Sequence, residues 1–190
     1  MPDNYSAVNI RSFIDNEELN DILAGFSCPL NHDVENFLWH NSVDFTQKNQ
    51  SVTYLVFSEN HVELAGYFSI AIKPVSVLAS VLSNSMRKKI SRVSVLNEET
   101  NTYTASAYLI AQLGKNFALP ERERINGSVL LSMAHNIIAH AKYFLGGVIE
   151  FLECENKMPL MNFYIQNRFK FFSSRITKDN VKLNQLLRFI

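Results

Sequence analysis

Arg124, Ile125, Asn126, Gly127, Ser128 and Val129 stand directly before an apolar helical run of Leu130, Leu131, Met133, Ala134, Ile137 and Ile138. A basic residue, a glycine three positions on and a helix start aim several backbone N–H groups and the positive helix end at one spot, which suits a phosphate. Later in the chain come residues able to move protons. Glu153 and Glu155 close a β-rich apolar run, Asn156 follows, and Tyr164 lies in the aromatic segment Met158 to Phe169. A carboxylate at a strand end can accept a proton through water, and a phenol of pKa about 10 can give one to a thiolate of comparable basicity. Metal chemistry is not predicted: His32 and His40, and His135 and His140, miss the i, i+4 spacing that holds an ion on one helix face. Cys28 and Cys154 stand far apart and read as small buried thiols rather than a disulfide or zinc framework.

The elements that must position these groups can be followed along the chain. Ala7 to Phe13 reads as a strand, and two helices fit residues 16–45, with Pro29 between them and Val34, Phe37, Leu38 and Asn41 at helical spacing in the second. Val52 to Ser58 and Leu64 to Ile72 form a pair of strands around a hairpin turn at Glu59, Asn60, His61 and Val62. Residues 104–113 form the next strand, which ends in Gly114, Lys115 and Asn116 and leads to the phosphate loop. Residues 76–103 are rich in serine around Arg87, Lys88, Lys89 and Arg92 and read as an insertion with a short helix of Leu78, Val81, Leu82 and Met86 beside the acceptor entrance. After the main helix come a strand from Val148 to Cys154, a helix from Met158, and two tail strands, Phe171 to Ile176 and Leu183 to Ile190. About seven strands and four helices predict an α+β fold: one domain over residues 1–190, a mixed, mostly antiparallel sheet with helices on both faces in three layers.

The loop resembles the pyrophosphate loop of the GCN5-related N-acetyltransferases, whose pattern is Arg or Gln, two residues, Gly, one residue, then Gly or Ala; here the sixth place is Val129. The following elements match in order: Gly146 and Gly147 before a strand, then Phe163, Tyr164, Asn167, Arg168 and Phe169, similar to the family's "F-Y-x-x-x-G-F" helix with Arg168 at the glycine place. Phe26, Ser27 and Cys28, then Val34, Phe37 and Leu38, resemble an early helix of many bacterial members. The resemblance spans nearly the whole chain. It implies acetyl-CoA as donor and an amine as acceptor. The pantetheine arm is expected to pair with the strand end at Leu113, Gly114 and Lys115. The pyrophosphate is expected on Arg124 to Val129, with Asn156 nearby. Tyr164 takes the place that protonates the leaving thiolate; Glu153 or Glu155 could relay the amine's proton as base, Glu153 being the candidate named first, and a chain of waters can also serve in this family. The amine is a small metabolite, a protein N-terminus or lysine, or an aminoacyl-tRNA as in the toxin branch. Only that last case brings in nucleic acid. A coenzyme A-binding or protein-interaction module without turnover is the competing reading, favoured by Val129 and Arg168, and at Arg168 a helix end capped differently from the family's is expected. Oligomeric state is not legible, although homodimers through an edge strand or helix are common in the family.

Bulk properties fit this reading. The 190 residues are 47% apolar, enough for one substantial core, and the balance of 18 basic against 18 acidic residues provides no global field for nucleic acid. No segment approaches the roughly 20 apolar residues of a membrane span and no leader pattern is visible, so a soluble cytoplasmic protein is expected.

Overall fold

The computed structural model describes residues 5–58 and 63–190, which form two compact units, Met1–Ala71 with Ala111–Ile138 and Ile72–Ile110 with Ala139–Ile190. The strands β1 (Tyr5–Asn9), β2 (Val52–Ser58), β3 (Leu64–Leu78), β4 (Leu96–Asn97), β5 (Thr102–Lys115), β6 (Ile149–Glu155), β7 (Lys170–Ile176) and β8 (Lys182–Phe189) hydrogen-bond in the order β1-β2-β3-β5-β6-β8-β7, with β4 attached to β5; β5 and β6 pair in parallel, while β1–β2, β2–β3, β4–β5, β6–β8 and β7–β8 pair antiparallel. This is the mixed, mostly antiparallel α+β arrangement expected. The strand beyond the predicted seven is β4, Leu96–Asn97, only two residues long.

In the first unit, β1 spans Tyr5–Asn9. It stops short of the predicted Phe13 because the Asn9 side chain accepts the Arg11 amide at 3.0 Å and starts a 3-10 turn, Ile10–Phe13, that buries Ile10. Helix α1, Leu19–Ala24, follows. The second predicted helix is a continuous run of α2, His32–Asn36, a π-turn at Phe37–Asn41 and α3, Ser42–Gln47. Asn31 caps its start, with its side chain accepting the Asp33 and Val34 amides. Strand β2, Val52–Ser58, pairs antiparallel with β3, Leu64–Leu78, from Val52 opposite Ile70 to Phe57 opposite Leu64. The hairpin turn predicted at residues 59–62 lies outside the described residues. The core of this unit gathers Ile10, Leu19, Leu23, Phe26, Val34, Leu38, Leu55, Leu64 and Tyr67.

The second unit is built on the later part of β3, on β5, Thr102–Lys115, up to Ile110, and on β6, Ile149–Glu155, β7, Lys170–Ile176, and β8, Lys182–Phe189. The predicted insertion is partly strand, since β3 continues through Leu78. Its helix, α4, is Asn84–Ile90, capped by Ser83. Leu78 and Val81, assigned from spacing to that helix, precede it and are exposed. Leu82 and Ile90 instead pack with Val75, Val77, Tyr103, Phe151, Phe172 and Leu187. Helix α5, Gly127–Leu145, and helix α6, Met158–Gln166, complete the architecture.

Candidate functional site

The first unit holds the loop and the strand end. Asn126 caps α5: its Oδ1 accepts the Ser128 amide at 2.8 Å, and its carbonyl accepts the Leu130 amide at 3.0 Å. Among the described residues no protein acceptor takes the Gly127 or Val129 amide, so two N–H groups at the positive end of a 19-residue helix stay open. The Val129 side chain is exposed, and Ile125 is an anchor, 1% exposed in the core. Arg124 is a brace rather than a free cation. Its guanidinium donates to the Leu119 carbonyl at 2.8 Å and the Phe117 carbonyl at 3.1 Å and lies over the Phe117 ring.

At the strand end the organising residue is Asn116, which sequence reasoning treated only as the end of a strand. It is buried, and its Oδ1 accepts the Ser27 and Ala118 amides at 2.9 and 3.0 Å while Nδ2 donates to the Gly25 and Leu64 carbonyls at 2.9 and 2.8 Å. All of its amide's hydrogen-bonding capacity is engaged, which fixes the direction of Lys115 and Phe117. Lys115 Nζ sits 5.1 Å from the Phe117 ring centroid. Gly114 is buried against Val34, Phe26 and Tyr67, and a Cβ there would come 2.5 Å from Val34 Cγ1. The glycine is therefore required by packing within the unit. Beside it, Leu113 is half-buried. Cys28 donates its amide to Glu35 Oε1 at 2.8 Å, which holds that carboxyl below its ordinary range, while burial pushes the Cys28 thiol up.

The second unit holds Tyr164 and Glu153, which the sequence offers as candidates to handle protons. Tyr164, on α6, is buried between Phe163 and Phe169, and burial, with a smaller contribution from the Cys154 thiol, raises its phenol well above the usual range. Its hydroxyl has no hydrogen-bond partner among the described residues. It therefore stays protonated at neutral pH, as a weaker acid than a free phenol. Cys154 donates to Met161 Sδ at 3.8 Å and its thiol is pushed up to about 11 by burial and then by Glu155, so it is no nucleophile at neutral pH. Asn156 is engaged: its Oδ1 accepts Asn184 Nδ2 at 2.9 Å, and the same amide reaches Met161 Sδ at 3.2 Å. Asn184 is 4% exposed and was not singled out from sequence, where it looks like any polar residue of a tail strand.

Glu153 is not a free carboxylate. Arg175 grips both of its oxygens, with Nε to Oε1 at 2.7 Å, and Gln185 Nε2 adds a bond at 2.8 Å. Burial pulls its pKa upward, but these hydrogen bonds more than offset that and hold the carboxyl below its ordinary range. Glu155 pairs with Lys157 at 2.7 Å. A further pair had no sequence signal beyond a glutamate in an apolar strand: Glu150, fully buried on β6, meets Arg188 Nε at 2.9 Å across β8.

The end of α6 resolves the Arg168 departure. The Phe169 amide bonds to the Tyr164 carbonyl and the Arg168 amide to that of Ile165, both at 3.0 Å, with Arg168 at φ +70°. This is the Schellman closure that a glycine would make, so the expectation of a different cap is corrected: the cap is the same, with arginine in the left-handed place. Tyr108, Leu109 and Ile110 of β5 pair parallel with Glu150, Phe151 and Leu152 of β6.

No family model matches the chain, and no curated protein matches it. Solved structures do. AtaT complexed with acetyl-methionyl-tRNAfMet superposes with a TM-score of 0.66 at 14% identity, covering 95% of this chain and 94% of that one. A structure described as a bacterial toxin gives 0.68 at 14% identity over 99% and 92%. AtaTR bound with AcCoA gives 0.61 at 15% identity over 100% and 94%. No helix among the described residues is long and apolar enough to cross a membrane. At this level of identity the likeness is one of architecture, and that architecture, with the strand order and helix placement described above, is the GCN5-related N-acetyltransferase fold.

Proposed function

We propose that this chain is an acetyl-CoA-dependent N-acetyltransferase. The observation that carries the reading is the pair of open amides, Gly127 and Val129, at the head of α5. They suit a diphosphate, and Ser128 and Asn126 shape the turn that presents them. Residues 111–115 offer strand backbone for a pantetheine arm, with Lys115 a nearby cation. In the reaction a neutral amine attacks the thioester carbonyl, a C–N bond forms, the C–S bond breaks, and Tyr164 gives its proton to the departing thiolate. The ammonium proton leaves through water, and a proton from solvent returns Tyr164 to its neutral phenol, which closes the cycle. Glu153, already gripped by Arg175 and Gln185, is a support for the end of β6 in this scheme, not the base. Two free buried thiols are in keeping with a reducing cytoplasm.

The test combines thermal denaturation with coenzyme A or acetyl-CoA and thiol release against an amine panel. A stabilising shift with turnover supports the enzyme. A shift without turnover supports the binding module, and no shift removes both. A second reading, an aminoacyl-tRNA acceptor, is favoured by the exposed Lys88, Lys89 and Arg92 on and just after α4 and by the likeness to AtaT, whose structure contains acetyl-methionyl-tRNAfMet. Acetylation of charged tRNA in preference to free amino acids, together with arrest of growth on expression, tests it; indifference on both counts excludes it.

A further inference from the structure

In the second unit, one face of β3 and β5 is exposed. Ser76 Oγ and Thr104 Oγ1 hydrogen-bond at 2.7 Å, which puts Ile72, Ser76 and Leu78 of β3 on the same side as Thr104, Ser106 and Tyr108 of β5. Ile72 is 57% exposed, Leu78, Thr104 and Ser106 are exposed, and at one end of this face the last turn of α5 leaves Tyr143, Phe144 and Leu145 open to solvent. Ile72, Val93 and Leu145 border a groove of about 240 Å³. Its floor is Tyr108, whose hydroxyl donates to the Gly146 carbonyl at 2.6 Å and whose ring lies 2.9 Å from where a Gly147 Cβ would be. The hydrogen bond and the Gly147 contact hold the Tyr108 floor in place.

Its size and charge select the occupant. A cavity below the ~300 Å³ at which ligand pockets begin suits one or two aliphatic side chains of a partner better than a cofactor. Addition of a strand along β3 is disfavoured, because Pro74 removes a donor from the stretch that runs past the last β2 partner at Ile70. None of the groove-lining residues is charged, while Arg92 adjoins Val93 and Lys142 lies one helical turn before Leu145. The nearest carboxylates along that segment, Glu98 and Glu99, lie in the turn beyond β4. A symmetric pair of copies would bring the same cations together without acids to meet them. We propose that this face is the docking site for an acidic amphipathic helix of another protein, with leucine-sized side chains in the groove and carboxylates against Arg92 and Lys142. The inference is independent of acetyl transfer.

The test uses the full chain and two fluorescein-labelled synthetic helices with leucines at i, i+3, i+4 and i+7, one flanked by glutamates and the other by lysines, read by anisotropy at low salt. The acidic helix is expected to bind about tenfold tighter. Ile72→Thr and Leu145→Gln, both at exposed positions and checked for unchanged melting, are expected to weaken it about fivefold or more. The pair Arg92→Glu with Lys142→Glu is expected to reverse the preference. Equal binding of the two helices, no binding of either, or a self-associated chain in sedimentation that Leu145→Gln dissociates would each overturn the proposal, the last by giving the face to a second copy.

Discussion

A Cβ placed on Gly66 would lie 2.7 Å from the carbonyl oxygen of Gly114 and 3.3 Å from both the Lys115 Cα and Leu130 Cδ2. The backbones of β3 and β5 therefore run as close at this point as two chains can. The contact sits beside the strand end proposed for the pantetheine arm. Gly66→Ala meets a main-chain atom that cannot rotate away, so a loss of about 2–3 kcal/mol is expected in denaturant unfolding, together with weaker coenzyme A binding because β5 must shift. Unchanged stability would show that the strands separate freely.

Asn116→Asp replaces the donor to the Gly25 and Leu64 carbonyls with a buried carboxylate oxygen. A cost of about 3 kcal/mol or more is expected from chemical denaturation at neutral pH.

Tyr164→Phe removes a hydroxyl that bonds to no described protein atom, so melting should change little. On the proposed chemistry, kcat falls about 100-fold or more while KM for acetyl-CoA holds. Because burial raises the phenol in the folded protein, the group stays protonated past the ordinary phenol range of about pH 10. The stability tied to this group is complete below the unfolded pKa and is lost as pH rises toward the folded one. Full activity of Tyr164→Phe would remove it as donor.

Glu153→Gln separates base from support. The folded carboxyl lies below its unfolded value, so its pairing with Arg175 stabilises fully above the unfolded pKa and the gain disappears as pH falls through the folded one. The variant should be less stable by about 1 kcal/mol at pH 7, with Arg175 half exposed, and the difference should close below about pH 4. Activity at pH 7 should survive; its loss with stability intact would restore Glu153 as the base.

Arg168→Gly places at φ +70° the residue with no Cβ to strain. A gain of about 1 kcal/mol in thermal or urea unfolding is expected. A loss would mean that the arginine side chain contributes more than its backbone costs.

Much of the frame was legible because its signals are local. The α5 run from Leu130 to Ile138 shows its buried face as helical spacing, and the β-rich apolar runs of β2 and β6 mark strands of roughly the bounds found. The α4 region misled because Leu78 and Val81 fit a helical period by chance, while the chain there continues as strand and a 3-10 turn. At β1, one asparagine side chain ended a strand that propensity would have extended.

Read along the chain, the residues already set the order of elements, the glycine and asparagine that open α5, and the residue types from which an anion cradle and a proton donor can be made. Those follow from backbone geometry and from spacing within one segment. Which of these groups are already engaged emerges from the folded arrangement. Arg124 is turned inward to its own loop, Glu153 is held by Arg175, Asn156 by Asn184, and the amides of Gly127 and Val129 are left open. Hydrogen bonds between residues 22 to 28 positions apart, such as Glu153 with Arg175 and Asn156 with Asn184, depend on strand register, and register is settled by how the sheet packs rather than by any one strand.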